Sequence, residues 1–76
     1  GLAPAREFAL SALRYAEGMD MPVVRGDTFL TLAAVLRASG DPTGARAALL
    51  DARAEYAVKD FGLMLERVDT LLSEHE

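Results

Sequence analysis

The chain has 76 residues, enough for one domain and near the small end of what folds unaided. Apolar residues make up 51% and aromatics 7%, and there is no cysteine, which excludes disulfides and thiolate-held metals. The formal charge of −4 is mixed along the chain without a basic stripe, a pattern that argues against a nucleic-acid binder.

Alanine and leucine supply most of the apolar surface, which favours closely packed helices over a sheet. No signal peptide is evident, and no apolar run approaches the roughly 20 residues of a membrane span. A soluble, cytoplasmic protein is the expectation. The excess of arginine over lysine, with abundant alanine, points to a GC-rich genome.

The first helix is predicted to open at Pro4, because proline suits the first turn, where its missing N–H is no loss. In PAREFALSALRYAEG the spacing puts Ala5, Phe8, Ala9, Ala12 and Ala16 on one face, flanked by Leu10 and Leu13. Gly18 is the stop, and Asp20 a candidate cap for the next helix. Helix two is expected from about Pro22 to Ser39. Its centre, FLTLAAVL, is apolar nearly all round, the mark of a helix covered on more than one side. Gly26 inside it signals a kink, a close contact, or a start delayed to Asp27.

GDPTGA at 40–45 follows. Gly40 suits the left-handed residue that ends a helix, Asp41 can cap the next, and Pro42 fits its first turn. Gly44 would leave room for the preceding helix. A phosphate loop would instead need a lysine and a hydroxyl after the second glycine, and neither follows. The stretch is a hinge. Helix three is predicted over Pro42–Val58, with Ala45, Ala48, Leu49, Ala52 and Tyr56 facing a neighbour. Helix four, from after Asp60 to about Ser73 or Glu74, carries Phe61, Met64, Leu65, Val68, Leu71 and Leu72 in one stripe, with Leu63 outside it. Short connections make successive helices antiparallel.

Shifted by 40 residues, the chain matches itself loosely: Ala5-Arg6, Leu10 and Ala12 fall on Ala45-Arg46, Leu50 and Ala52. From Phe29 to Ala52 it resembles the tetratricopeptide repeat. Phe29, Leu32-Ala33, Leu36, Gly40-Asp41, Ala45, Leu49 and Ala52 fall at that family's bulky, small and turn positions. Ala57 stands where the motif has its final proline, and Pro42 where it has an aromatic. The wider pattern RGDTFLTLAAVLRASGDPTGARAALLDARAEYAVKD looks like the terminal repeats of actinobacterial regulators and nucleotide cyclases that contain an ATPase module. The resemblance implies one all-α domain over 1–76, an antiparallel four-helix tetratricopeptide-like hairpin array of about one and a half to two repeats. It also implies a piece of a larger protein, with helix one closing a preceding repeat and helix four as the terminal cap.

Residues that could carry chemistry are sparse. His75 is the only histidine, so no histidine pair can hold a metal. The tripeptide RGD at 25–27 sits at a helix start instead of a loop tip, with Asp27 read as a cap or first-turn acid. Asp51, Glu55 and Asp60 scatter along a helix and its end, and Ser11 and Ser39 have no nucleophilic arrangement around them. No catalytic, cofactor-binding or metal-binding residue is assigned.

The apolar surplus is the informative feature, since four short helices leave a face for a partner. The expectation is a non-catalytic interaction or oligomerisation module, binding a protein or a second copy of itself, with no nucleic acid and no membrane. Phe61, Leu63, Met64, Val68 and Leu71 are the candidate anchors, with Arg37, Arg53 and Arg67 orienting the partner at the rim. The alternative is an effector-sensing domain with an apolar pocket between helices.

Overall fold

The computed structural model describes residues 3–18 and 21–74, so the expected roles of Asp20 and His75 lie outside the described residues. Among these the chain forms four helices and no strand: α1 (Ala3–Glu17), α2 (Pro22–Ala38), α3 (Pro42–Val58) and α4 (Gly62–Glu74). Each helix packs on its neighbours in sequence, and α1 does not pack on α4. A closed bundle would bring the first and last helices together. Instead the Cα atoms span 34 × 31 × 14 Å, the outline of an open array. Among the described residues, no helix is long and apolar enough to cross a membrane.

The two turns that set this arrangement share one design. At the end of α2, Gly40 adopts φ +86°, its N–H donates to the Arg37 carbonyl, and the Asp41 N–H donates to the Leu36 carbonyl. At the end of α3, Asp60 takes φ +52°, its N–H donates to the Ala57 carbonyl, and the Phe61 N–H donates to the Tyr56 carbonyl. Both are the paired reverse hydrogen bonds of a Schellman turn, which satisfy carbonyls the helix end would leave free. In the second turn the hydrophobic contact of that motif is also present. The Phe61 ring meets the Tyr56 ring edge-on, with centroids 5.9 Å apart.

Asp41 then serves α3 as its cap, its Oδ1 accepting the Gly44 N–H at 2.9 Å. Gly44 was expected to make room for the preceding helix. The structure corrects this: a Cβ there would run into the Asp41 carboxylate, so the glycine makes room for the cap.

α3 presents its small side to α2. Ala45, Ala48, Leu49, Ala52 and Tyr56 are all buried and meet Leu32, Ala33 and Leu36 of α2, with Val68 of α4 joining the same core. As its all-round apolar centre predicts, α2 is packed on two sides, by α1 and α3. Helix α1 departs from expectation. Ala9 and Ala16 face inward, whereas Phe8, assigned to the same face, is 75% exposed. Phe8 lies one residue before Ala9, a step of about 100° round the helix, and the small residues win the close contact.

Candidate functional site

The tripeptide at 25–27 is built into the interface between α2 and α3. Gly26 is buried inside α2, and a Cβ on it would lie 2.6 Å from Cε1 of Tyr56. Of the three readings of this glycine, the close contact holds. Arg25 Nε approaches Glu55 Oε2 to 2.7 Å, and the contact is an ion pair whose N–H is not aligned as a hydrogen bond. On the other side the Tyr56 hydroxyl donates to Asp27 Oδ1 at 2.5 Å. Asp27 is therefore neither cap nor first-turn acid, because α2 already starts at Pro22.

All three residues grip Glu55-Tyr56, which leaves no tripeptide presented on a loop tip. The Tyr56 side chain is itself fully buried. Burial raises the phenol pKa well above its ordinary value, and the hydrogen bond and charge of Asp27 push the same way against a smaller opposing effect of Arg67.

The carboxylates are distributed along these interfaces. Glu55 faces Arg25, Asp27 accepts from Tyr56, and Asp69 accepts from Arg53 Nε at 2.8 Å, tying α3 to α4. Asp69 accordingly raises the Arg53 pKa by its hydrogen bond and its charge. No group of three or more metal-ligating side chains gathers among the described residues.

The expected anchors on α4 separate into two kinds. Val68 is completely buried and belongs to the core, so it cannot reach a partner from this arrangement. Phe61, Met64 and Leu71 are half-buried and pack against that core, each with part of its surface left over. Leu63 is 71% exposed, and it lies on the outer face of α4 beside Glu66, Arg67 and Thr70. Of the three arginines, Arg53 is tied to Asp69, and Arg37 of α2 lies 3.9 Å from Glu74 of α4. Arg67 stays on the α4 outer face.

A largely apolar concavity lies between α2 and α4, with α3 as its floor. It is a groove of about 440 Å³ lined by Leu30, Ala33, Ala34 and Ala38 on one side, Leu71 on the other, and Leu49 beneath. Arg37 is its one charged lining residue, and the Arg37–Glu74 contact spans the groove from helix to helix. Sequence reasoning picked Leu71 and Arg37 from this set and missed the alanine wall. The signal for that wall was the all-round apolar centre of α2: two faces are packed by neighbours, and Ala34 and Ala38 are left in the open.

A second apolar region escaped the sequence reading altogether. Phe8 and Tyr15 of α1 are 75% and 73% exposed, and a shallow depression runs from Phe8 and Ala12 to Val24 of α2. In comparisons with protein-family models, curated proteins and solved structures, the chain matches none.

Proposed function

We propose that the chain is a tetratricopeptide-like helical array working as a non-catalytic interaction and oligomerisation module of a larger cytoplasmic regulatory protein. The observation that carries this reading is the groove between α2 and α4: apolar walls, an apolar floor, and one arginine at the rim. Such a groove suits the apolar stripe of a partner helix, with an acidic side chain on that helix competing with Glu74 for Arg37. Support for the repeat architecture comes from the motif positions. Leu32, Ala33, Leu36, Ala45, Leu49 and Ala52 are all buried between α2 and α3, and Gly40 makes the left-handed turn. The non-catalytic reading is supported by the carboxylates, several of which are occupied in holding helices together.

The test is binding of a panel of amphipathic helical peptides, leucine- and alanine-rich on one face and acidic at the flank. Binding should weaken at least about tenfold with Ala34→Glu, which puts a charge on an exposed wall position without touching the core. Peptides that bind the variant equally well would remove the groove from the reading.

One observation favours a second reading, a sensor of a small apolar effector. The groove volume of about 440 Å³ falls inside the size range of ligand sites. Its open mouth favours the helix. A small apolar ligand that binds where no peptide of the panel does would reverse that preference.

A further inference from the structure

Among the described residues, α1 packs on α2 alone, and its other side is open. Along its open side, Pro4, Phe8, Ser11 and Tyr15 follow one another at steps of four, three and four residues. Such spacing keeps one stripe facing a partner helix, and the large apolar members of this stripe are Phe8 and Tyr15, one heptad apart. Among the described residues, its two aromatic side chains are the most exposed of the large apolar ones. They also stand one residue before Ala9 and Ala16, which pack inward, so the stripe is turned about 100° from the buried face and borders the α2 contact at Phe8 without entering it. Glu7 and Arg14 flank the stripe seven residues apart, in the same heptad position and both exposed.

The charges choose among pairings. With two α1 helices antiparallel, flanking residues of this kind meet their own counterparts across a two-fold axis. In the register that sets Phe8 against Ser11 of the other copy, and Pro4 against Tyr15, each Glu7 faces the other copy's Arg14. The next register along, one heptad away, would set Arg14 against Arg14. A parallel pair would set Glu7 and Arg14 against Ala12 and its heptad equivalents, with no charge to meet.

Only the first register joins large to small in the stripe and opposite charges beside it. We infer that the face of α1 carrying Phe8 and Tyr15 binds a second copy of this chain, antiparallel, with Glu7 of each copy paired to Arg14 of the other. This deepens the oligomerisation part of the proposed function and rests on it, while using a surface separate from the groove.

The experiment is solution mass by light scattering over a concentration series, on the whole chain and on charge-reversed variants. The native chain should pass from monomer to dimer as concentration rises. Glu7→Arg sets arginine against arginine, and Arg14→Glu sets glutamate against glutamate. Each should raise the dissociation constant about tenfold or more. Mixing those two variants should restore a dimer, because every pair is then opposite in sign, and the double reversal in one chain should restore it too. Both positions are exposed, and far-ultraviolet dichroism confirms that the helices stay formed.

A native chain that is monomeric throughout, or a dimer indifferent to both reversals, overturns the inference. Peptide binding that is lost with Ala34→Glu in such a monomer would leave the groove reading standing. A charge-sensitive dimer that binds no peptide would sink the groove and keep this face.

Discussion

The ring of Tyr56 occupies the space that a side chain on Gly26 would need. A Cβ at residue 26 would fall 2.6 to 2.9 Å from three ring atoms. The ring cannot swing away cheaply, because Tyr56 is fully buried, its hydroxyl is bound to Asp27, and Phe61 abuts it edge-on. Glycine in a helix interior normally costs about 1 kcal/mol relative to alanine. Here the exchange should run the other way. Gly26→Ala is expected to destabilise the fold by about 1–3 kcal/mol net, the usual cost of overpacking. Gly62 is the contrast, since a methyl group added there would meet nothing within 4 Å. Gly62→Ala should be neutral or stabilising by up to about 1 kcal/mol. Urea unfolding followed by dichroism reads both, and a more stable Gly26→Ala chain would refute the close fit.

The same tyrosine predicts a pH dependence. Its folded-state pKa is raised, first by burial and then by Asp27, so the folded chain holds this proton where the unfolded chain releases it. The stabilisation is therefore complete below the ordinary tyrosine pKa of about 10 and is lost as pH rises above it. The limiting slope is about 1.4 kcal/mol per pH unit for one such group. Tyr56→Phe should cost about 1 kcal/mol at neutral pH, since the Asp27 carboxylate can return to water. It should also flatten the loss of stability between about pH 10 and 11 relative to the native chain. Equal alkaline slopes for the two proteins would show that Tyr56 is not the group responsible.

Much of the helix scaffold was legible in the sequence, because its signals are local. Pro22 and Pro42 begin helices, Gly40 ends one, and five positions of α3 chosen by spacing are the five that are buried. The clasp between residues 25–27 and Glu55-Tyr56 was not read, although the information lay close by. Residues equally distant from a turn at Gly40-Asp41 face each other in an antiparallel pair, which brings Arg25 opposite Glu55. What the spacing could not rank was Phe8 against Ala9 as the inward residue. Both fit the same broad stripe, and the choice depends on how near α2 approaches, a tertiary property. The groove was hidden for a similar reason: Ala34 and Leu71 lie on separate helices, joined only through α3.

Two side-chain ion pairs made by α3 should differ in value despite similar lengths, 2.7 Å for Arg25–Glu55 and 2.8 Å for Arg53–Asp69. The second is largely in solvent, where pairing is offset by hydration and lost side-chain freedom. Asp69→Ala is expected to leave stability nearly unchanged. In the first pair, Glu55 is mostly covered and Arg25 Nε is shut off from water with no hydrogen-bond partner. Removing the carboxylate strands that charge, so Glu55→Ala should cost about 1–3 kcal/mol. Salt should separate them further, weakening the exposed pair more than the covered one. Chemical unfolding of the two variants at low and high salt makes the comparison. Equal losses would mean that Arg25 finds water or another acceptor when Glu55 is gone.

The two helix-ending turns offer the last prediction, because the same backbone is built from different residues. Gly40 takes a positive φ at no steric cost, whereas Asp60 takes it with a Cβ in place. Gly40→Ala should destabilise by about 1–2 kcal/mol, the penalty of a left-handed L-residue, although nothing lies within 4 Å of the added methyl. Asp60→Gly should instead stabilise, by up to about 1 kcal/mol, after allowing for the greater freedom of glycine in the unfolded chain. Charge does not decide the sign. Asp60 stands between the end of α3, where a negative charge is unfavourable, and the start of α4, where it is favourable. Melting curves of the two variants should therefore move in opposite directions. A lower melting temperature for Asp60→Gly would mean that its carboxylate contributes more to the start of α4 than the backbone strain takes away.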